Sequence, residues 1–91
     1  MIHITIIYKY ELNFDMTPVC DVKARIFVPL KVDFQNGIPF FWAIVSDDMP
    51  EQVIRIHKVG TGCPMDYVPI YLNTTVLQSE PFVWHWFYEI L

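Results

Sequence analysis

The residue types able to do chemistry gather in one stretch, His57-Lys58-Val59-Gly60-Thr61-Gly62-Cys63-Pro64. Paired glycines let a backbone take positive φ and turn N–H groups towards an anion, so Gly60-Thr61-Gly62 could form a small anion-holding nest. Lys58 would add a cation, His57 an acid–base group or phosphate contact, and a nearby aromatic could stack a base. On this reading His57, Lys58, Gly60, Thr61 and Gly62 form a ligand-binding loop for a nucleotide or similar small molecule. Two features oppose it. Phosphate-binding fingerprints place a helix directly after the glycines, and Cys63-Pro64 forbids one. His57 and Lys58 also fall on opposite faces of an extended chain, so they do not meet one ligand unaided. A tight corner between two strands is the plainer reading.

The remaining reactive types assemble no catalytic set. Cys63 has no basic neighbour in sequence to lower its pKa. Asp47 and Asp48 sit together on a turn as solvated charges, without a second carboxylate for glycoside or metal chemistry. Catalytic triads are recognised by geometry, and none can be assembled from spacing alone. Cys20 and Cys63 lie far apart with no His or Cys at ligand spacing, so they make no zinc site. His3 and His85 join His57 and Lys58 as the candidates for acid, base or phosphate contacts. His85, between Trp84 and Trp86, reads as half-buried and donating to a backbone carbonyl. The expectation is a protein that is not an enzyme and carries no cofactor and no metal.

Aromatics offer a different kind of site. Phe82-Val83-Trp84-His85-Trp86-Phe87-Tyr88-Glu89-Ile90-Leu91 puts Phe82, Trp84, Trp86, Tyr88 and Ile90 on one face of a strand and the rest on the other. A strand apolar on both faces belongs inside a sheet. Trp42, Trp84 and Trp86 fill the core by default. If the core cannot cover the Trp84-Trp86 face, it becomes an aromatic platform for a partner chain or flat ligand, extended by Tyr67, Tyr71 and Tyr88. Trp84, His85, Trp86, Phe87 and Tyr88 are therefore the candidate interaction surface. One side of this strand, that of Trp84 and Trp86 or that of Phe87 and Leu91, is the expected subunit contact.

The elements that must position these residues are strands. Alternation runs from Ile2 to Leu12 and predicts a long first strand with one buried face. Asn13 to Pro18 is a loop, and Val19 to Val22 a short edge strand. Arg25 to Phe34 alternates again, with Pro29 forcing an edge position or a bulge. Asn36-Gly37 then signals a type I′ hairpin into Ile38 to Val45. Ser46 to Pro50 turns, Val53 to Val59 is β-branched and extended, and Gly60 to Tyr67 is irregular. Val68 to Leu77 forms another strand, and Ser79-Glu80-Pro81 turns into the aromatic one. The expected fold is all-β, a small antiparallel β-sandwich or barrel-like domain of about six to seven strands. It forms one domain over residues 1–91.

Composition narrows the partners. Ten acids against six bases give a net charge of −4, and no two basic residues adjoin, so nucleic acid is excluded as a partner. A hydrophobic fraction of 54% with only 18% charged residues is more apolar surface than one small domain hides, which points to burial between subunits in a homo-oligomer. The start lacks the features of a signal peptide, and no apolar run approaches the roughly 20 residues of a membrane span. A cytoplasmic protein with free thiols follows, in which the sequon Asn73-Thr74-Thr75 carries no meaning.

Tyr8-Lys9-Tyr10, then Gln35-Asn36-Gly37-Ile38-Pro39 with Phe41-Trp42-Ala43, then Val59-Gly60-Thr61-Gly62, and finally Val83-Trp84-His85 with Phe87 form an ordered set. The set resembles a family of short, uncharacterised proteins found mostly in bacteriophages, prophages and their bacterial hosts. The likeness spans nearly the whole chain and departs from the family between Glu11 and Lys23. It implies no activity, but it does imply a phage or mobile-element setting and hence host cytoplasm. Small acidic β proteins there often block host defence proteins or sequester signalling nucleotides. The expected function is accordingly non-enzymatic protein–protein interaction, as a homo-oligomer or against a host protein, with counter-defence as the role. The alternative is a nucleotide-sequestering domain built on the Gly60–Gly62 loop.

Overall fold

Apolar–polar alternation turns into strands nearly everywhere it occurs. The computed structural model describes residues 3–77 and 82–91. The expected turn at Ser79-Glu80-Pro81 and the start of the first strand at Ile2 lie outside the described residues. Within them run β1 (Thr5–Glu11), β2 (Val19–Ala24), β3 (Ile26–Gln35), β4 (Ile38–Ser46), β5 (Gln52–Gly60), β6 (Ile70–Val76) and β7 (Val83–Ile90). They form two antiparallel sheets, β1-β4-β3 and β2-β5-β7-β6, here called sheets A and B. The fold is an all-β sandwich. The β3–β4 turn places Asn36 at φ 52° and Gly37 at φ 77°, the two positive values that a type I′ hairpin requires. Pro29 sits among register shifts on both sides, a bulge that accommodates its missing N–H.

Two seams join the sheets. At one, β2 and β3 form a single extended run that changes sheet at Arg25. Ala24 pairs with Gln52 in sheet B, and Ile26 with Val45 in sheet A. The Arg25 carbonyl accepts from the Ser46 N–H at 3.0 Å. At the other seam, β6 shifts register between Tyr71 and Asn73. The Asn73 amide there bonds both backbone groups of Val32. Oδ1 accepts from the N–H at 2.9 Å, and Nδ2 donates to the carbonyl at 2.7 Å.

The core lies between the sheets. Sheet A supplies Ile26, Val32, Phe41 and Ala43, sheet B supplies Val22, Ala24, Ile54, Ile56 and Trp86, and the β1–β2 connection adds Leu12 and Phe14. Trp86 is 0% exposed and is the largest fully buried side chain. Its ring meets Phe14 at 5.7 Å and Phe34 at 6.0 Å, and its N–H donates to Thr75 Oγ1 at 2.8 Å. β7 runs between β5 and β6, the central place that its two apolar faces require.

Three expectations need correction. Val19 to Val22 extends to Ala24, and the strand expected from Val68 begins at Ile70. The first strand does not have one buried face. Ile4 is 61% exposed, Ile6 48%, Ile7 64% and Tyr8 51%. β1 is an edge strand of sheet A paired with β4, and on its inner face Tyr10 packs against the core while Ile6 and Tyr8 stay exposed.

Candidate functional site

At one end of the sandwich β2 stops short of its partner. The last β2–β5 pair is Val19 with His57, the Lys58 N–H reaches the Pro18 carbonyl at 2.9 Å, and β5 runs on to Gly60. Residues Phe14 to Val19 and Cys63 to Tyr67 rise on either side of this open edge, around a cavity of about 630 Å³. Lys58 is half-buried in its wall. Its ammonium lies 4.9 Å from the Phe14 ring centre and 4.9 Å from that of Trp84. Such contacts are worth roughly 0.5–2 kcal/mol each, rising with desolvation. Among the described residues no carboxylate is within ion-pair distance of Lys58. Arg25, Lys31 and Arg55, by contrast, each engage an oxygen.

Gly60 is glycine because of its neighbours. A Cβ there would stand 3.3 Å from Cys63 Sγ and 3.4 Å from the Trp84 ring. Gly62 instead has φ 86°, the left-handed region that glycine adopts without strain. The two glycines therefore serve different needs, and only the second follows the conformational argument made from sequence.

The outer face of sheet B carries the polar side chains of this end. Arg55 grips Asp21 through two parallel bonds, Nε to Oδ1 at 2.8 Å and Nη2 to Oδ2 at 3.0 Å. The pairing holds the Asp21 carboxyl below the usual carboxylate range. Glu89 Oε1 accepts from the Tyr67 hydroxyl at 2.7 Å and lies 3.2 Å from His57 Nε2. The bond from Tyr67, followed by that from His57, lowers the pKa of Glu89, and the same bond raises that of the Tyr67 phenol. The edges of His57 and Tyr67 also meet, with ring centres 5.9 Å apart. These contacts fasten the Cys63–Tyr67 segment onto the sheet.

His85 corrects another expectation. It does not donate to a backbone carbonyl. Its Nε2 lies 2.8 Å from Thr61 Oγ1 and its Nδ1 3.0 Å from Thr74 Oγ1, with the Tyr71 hydroxyl 2.7 Å further along. Both ring nitrogens are thus used to tie the Gly60–Gly62 corner to β6.

Of the predicted ligand loop, His57, Lys58 and Gly60 line the cavity, and Thr61 and Gly62 do not. His57 and Lys58 do occupy opposite faces of β5, yet both reach the cavity because it wraps around the strand edge that β2 leaves open. Of the predicted interaction surface, Trp84 and Trp86 share a face, but it is the inner one. Full burial of Trp86 removes the expected platform. Trp84 is half-buried beside the cavity and stacks on Phe82 at 5.8 Å, and Tyr88 packs against the core. His85 and Phe87 lie half-buried on the outer face, where Tyr71 and Phe87 meet edge to face at 5.5 Å.

Uncovered apolar surface occurs on both sheets, as Ile6, Ile7 and Tyr8 along β1 and as Ile70, Tyr71 and Val76 along β6. On the outer face of sheet A Trp42 is flanked by the ammonium groups of Lys9 at 5.6 Å and Lys31 at 5.9 Å, beside Ile44, Ile7 and Val28. Sequence reading passed over Phe14, Glu89 and β1 itself. The signal for β1 was present, since Ile6-Ile7 puts an apolar residue on each face of an alternating strand. His3, Asp47 and Asp48 bring donor atoms within 4.8 Å of one another, but all three are exposed. Asp47 accepts from the Ile4 N–H at 3.0 Å and Asp48 from the Ser46 hydroxyl, so both carboxylates cap the turn.

A family model described as a domain of unknown function (DUF7352) matches residues 4–90. The chain belongs to this family. The match takes in both the edge strand β1 and the open end of β5. No curated protein and no solved structure matches the chain. Among the described residues no helix of this DUF7352 member is long and apolar enough to cross a membrane.

Proposed function

We propose that this DUF7352 chain acts without catalysis, as an interaction protein whose contact surface is the side of the molecule formed by sheet A. The observation that carries the reading is β1, an edge strand on which Ile6, Ile7 and Tyr8 expose apolar side chains on both faces. Each Å² of apolar surface removed from water contributes about 25 cal/mol. Extended apolar patches on small soluble proteins mark contact sites for that reason. The titratable groups that meet elsewhere support a non-catalytic reading, because Asp21 and Arg55, and Glu89 with His57 and Tyr67, hold one another. The partner is a second copy and, in a bacteriophage or mobile-element setting, a host protein of the defence kind encountered in the cytoplasm. That setting rests on the ordered motif set from Tyr8-Lys9-Tyr10 to Val83-Trp84-His85. Light scattering across a dilution series tests the self-association, with an expected mass of twice the 10.8 kDa chain. The mass of one chain at every concentration would end this reading.

A specific observation favours a second reading, nucleotide binding. Lys58 presents a half-buried ammonium to a cavity whose other walls include Trp84, Phe14 and Tyr67. Cavities of this volume suit drug-sized ligands. The expected result of a thermal-shift screen with cyclic and linear nucleotides is a raised Tm that disappears in Lys58→Met, which keeps the stem between the two rings. Ligand at a hundredfold above its Kd stabilises by about 2.7 kcal/mol, on the order of 10 °C for so small a domain. No shift with any nucleotide counts against it.

A further inference from the structure

We propose that β1 of one chain pairs with β1 of a second copy along their open edges, antiparallel about a two-fold axis at Ile7. The two sheets A thereby form one continuous six-stranded sheet. The proposal rests on the interaction reading above and specifies its partner and geometry.

The hydrogen bonds around β1 show which backbone groups are available. The Ile4 carbonyl accepts from the Asp47 N–H at 3.1 Å, and the Leu12 N–H donates to the Pro39 carbonyl at 2.9 Å. The register between them is unbroken, from Thr5 opposite Ser46 to Glu11 opposite Phe40. In an antiparallel pair, consecutive residues turn their backbone groups to alternate sides. Even-numbered residues therefore face β4. The N–H and C=O groups of Thr5, Ile7, Lys9 and Glu11 point away from the sheet, in a row with no strand beside them among the described residues.

Natural edges are protected by proline, bulges or charge. β3 has Pro29 and two register shifts, β2 carries Asp21 and Lys23, and β6 is tied to β3 through Asn73. β1 has neither proline nor bulge; its charges, Lys9 and Glu11, stand at its C-terminal end, and Ile6, Ile7 and Tyr8 leave both faces apolar ahead of them. Its inner face is open as well, since Ile4, Ile6 and Tyr10 line a cavity of about 310 Å³ with Val45 and, at its polar rim, Arg25 and Asp47. An occupant must therefore take up the free backbone groups and set apolar side chains beside Ile6 and Tyr8 on one face and Ile7 on the other. A second β1 does this.

Side chains select the register. With Ile7 opposite the partner's Ile7, Thr5 faces the partner's Lys9, and His3 faces the partner's Glu11, so that no two like charges stand opposite each other. Ile6 then lies opposite the partner's Tyr8, so both half-open inner-face residues gain an apolar neighbour. Centring on Lys9 would set two ammonium groups directly opposite, and centring on Thr5 would shorten the ladder. The arrangement is isologous and closes on itself, as a two-fold contact must.

Two variants test the geometry without relying on a single fold-dependent result. Ile7→Pro removes an N–H that β4 does not use, so strand content by circular dichroism is retained while the dimer dissociation constant rises more than about tenfold. In a Cys63→Ser background, Ile7→Cys forms an interchain disulfide on mild oxidation, because Cα atoms of a hydrogen-bonded pair lie about 5.5 Å apart, within disulfide reach. Thr5→Cys and Lys9→Cys, displaced from the axis by two residues, cross-link far less. A dimer that survives Ile7→Pro unchanged, or equal cross-linking at all three positions, overturns the edge pairing while leaving self-association in place. A wild-type protein that is monomeric throughout overturns both.

Discussion

Glu89 receives the Tyr67 hydroxyl and the His57 ring on one oxygen, and the consequence is a defined response to acid. The folded-state pKa of Glu89 is lowered, chiefly by the Tyr67 bond, and that of Asp21 is lowered by Arg55. A depressed carboxylate contributes stability that is complete above its unfolded pKa and is lost as pH falls through the folded value. The unfolded values are about 3.9 for Asp and 4.3 for Glu, so the loss falls below pH 4. The expected outcome is a urea midpoint that is lower at pH 3 than at pH 7, with a smaller difference in Tyr67→Phe. Solvent screening keeps the effect modest. An equal difference in wild type and Tyr67→Phe would remove Tyr67 from this account. The sequence pointed to His57 as a ligand contact and used Tyr67 only to extend a platform. Nothing in their spacing shows that a loop folds back to join them.

The strands themselves were largely legible, because alternation, β-branching and the Asn36-Gly37 pair are local properties. The central place of β7 followed from its two apolar faces, and the bulge around Pro29 from a missing N–H. What escaped were roles that depend on which strands become neighbours. Asn73, read only as part of a sequon, links β6 to β3 by acting as a rung between two strands that share no backbone ladder. Asn73→Ala leaves both backbone groups of the fully buried Val32 without their partner. At roughly 1–3 kcal/mol for each orphaned group, the variant is expected to lose about 2–6 kcal/mol in urea denaturation. A loss under about 0.5 kcal/mol would mean that water replaces the amide at this seam. β1 was misjudged for the same reason. Its alternation was read correctly, but how much of a strand's face is covered depends on what the fold packs against it, and here only Tyr10 reaches the core.

At the scale of the whole molecule, the excess of apolar residues was visible in composition and its location was not. The sequence drew attention to the aromatic strand, yet Trp86 there is the centre of the core, and part of the surplus is displayed by the first strand instead. The open end at Lys58 and the open edge at β1 lie on different sheets. Ligand capture at one and self-association at the other are therefore separable, and the Lys58→Met and Ile7→Pro variants each leave the other feature untouched.

The order of strands along the chain has a consequence in time. β3 finds β4 across a two-residue turn, but β1 waits for β4, and β2 waits for β5. Roughly thirty residues separate Glu11 from Ile38, and synthesis at about 5–20 residues per second leaves β1 without its sheet for seconds. During that interval the most apolar edge of the molecule is a lone emerging strand. Two nascent chains on one messenger would present that strand to each other before either sandwich closes. The early hairpin is thus a race condition for the protein, because β4 must form promptly to capture β1 in its own chain.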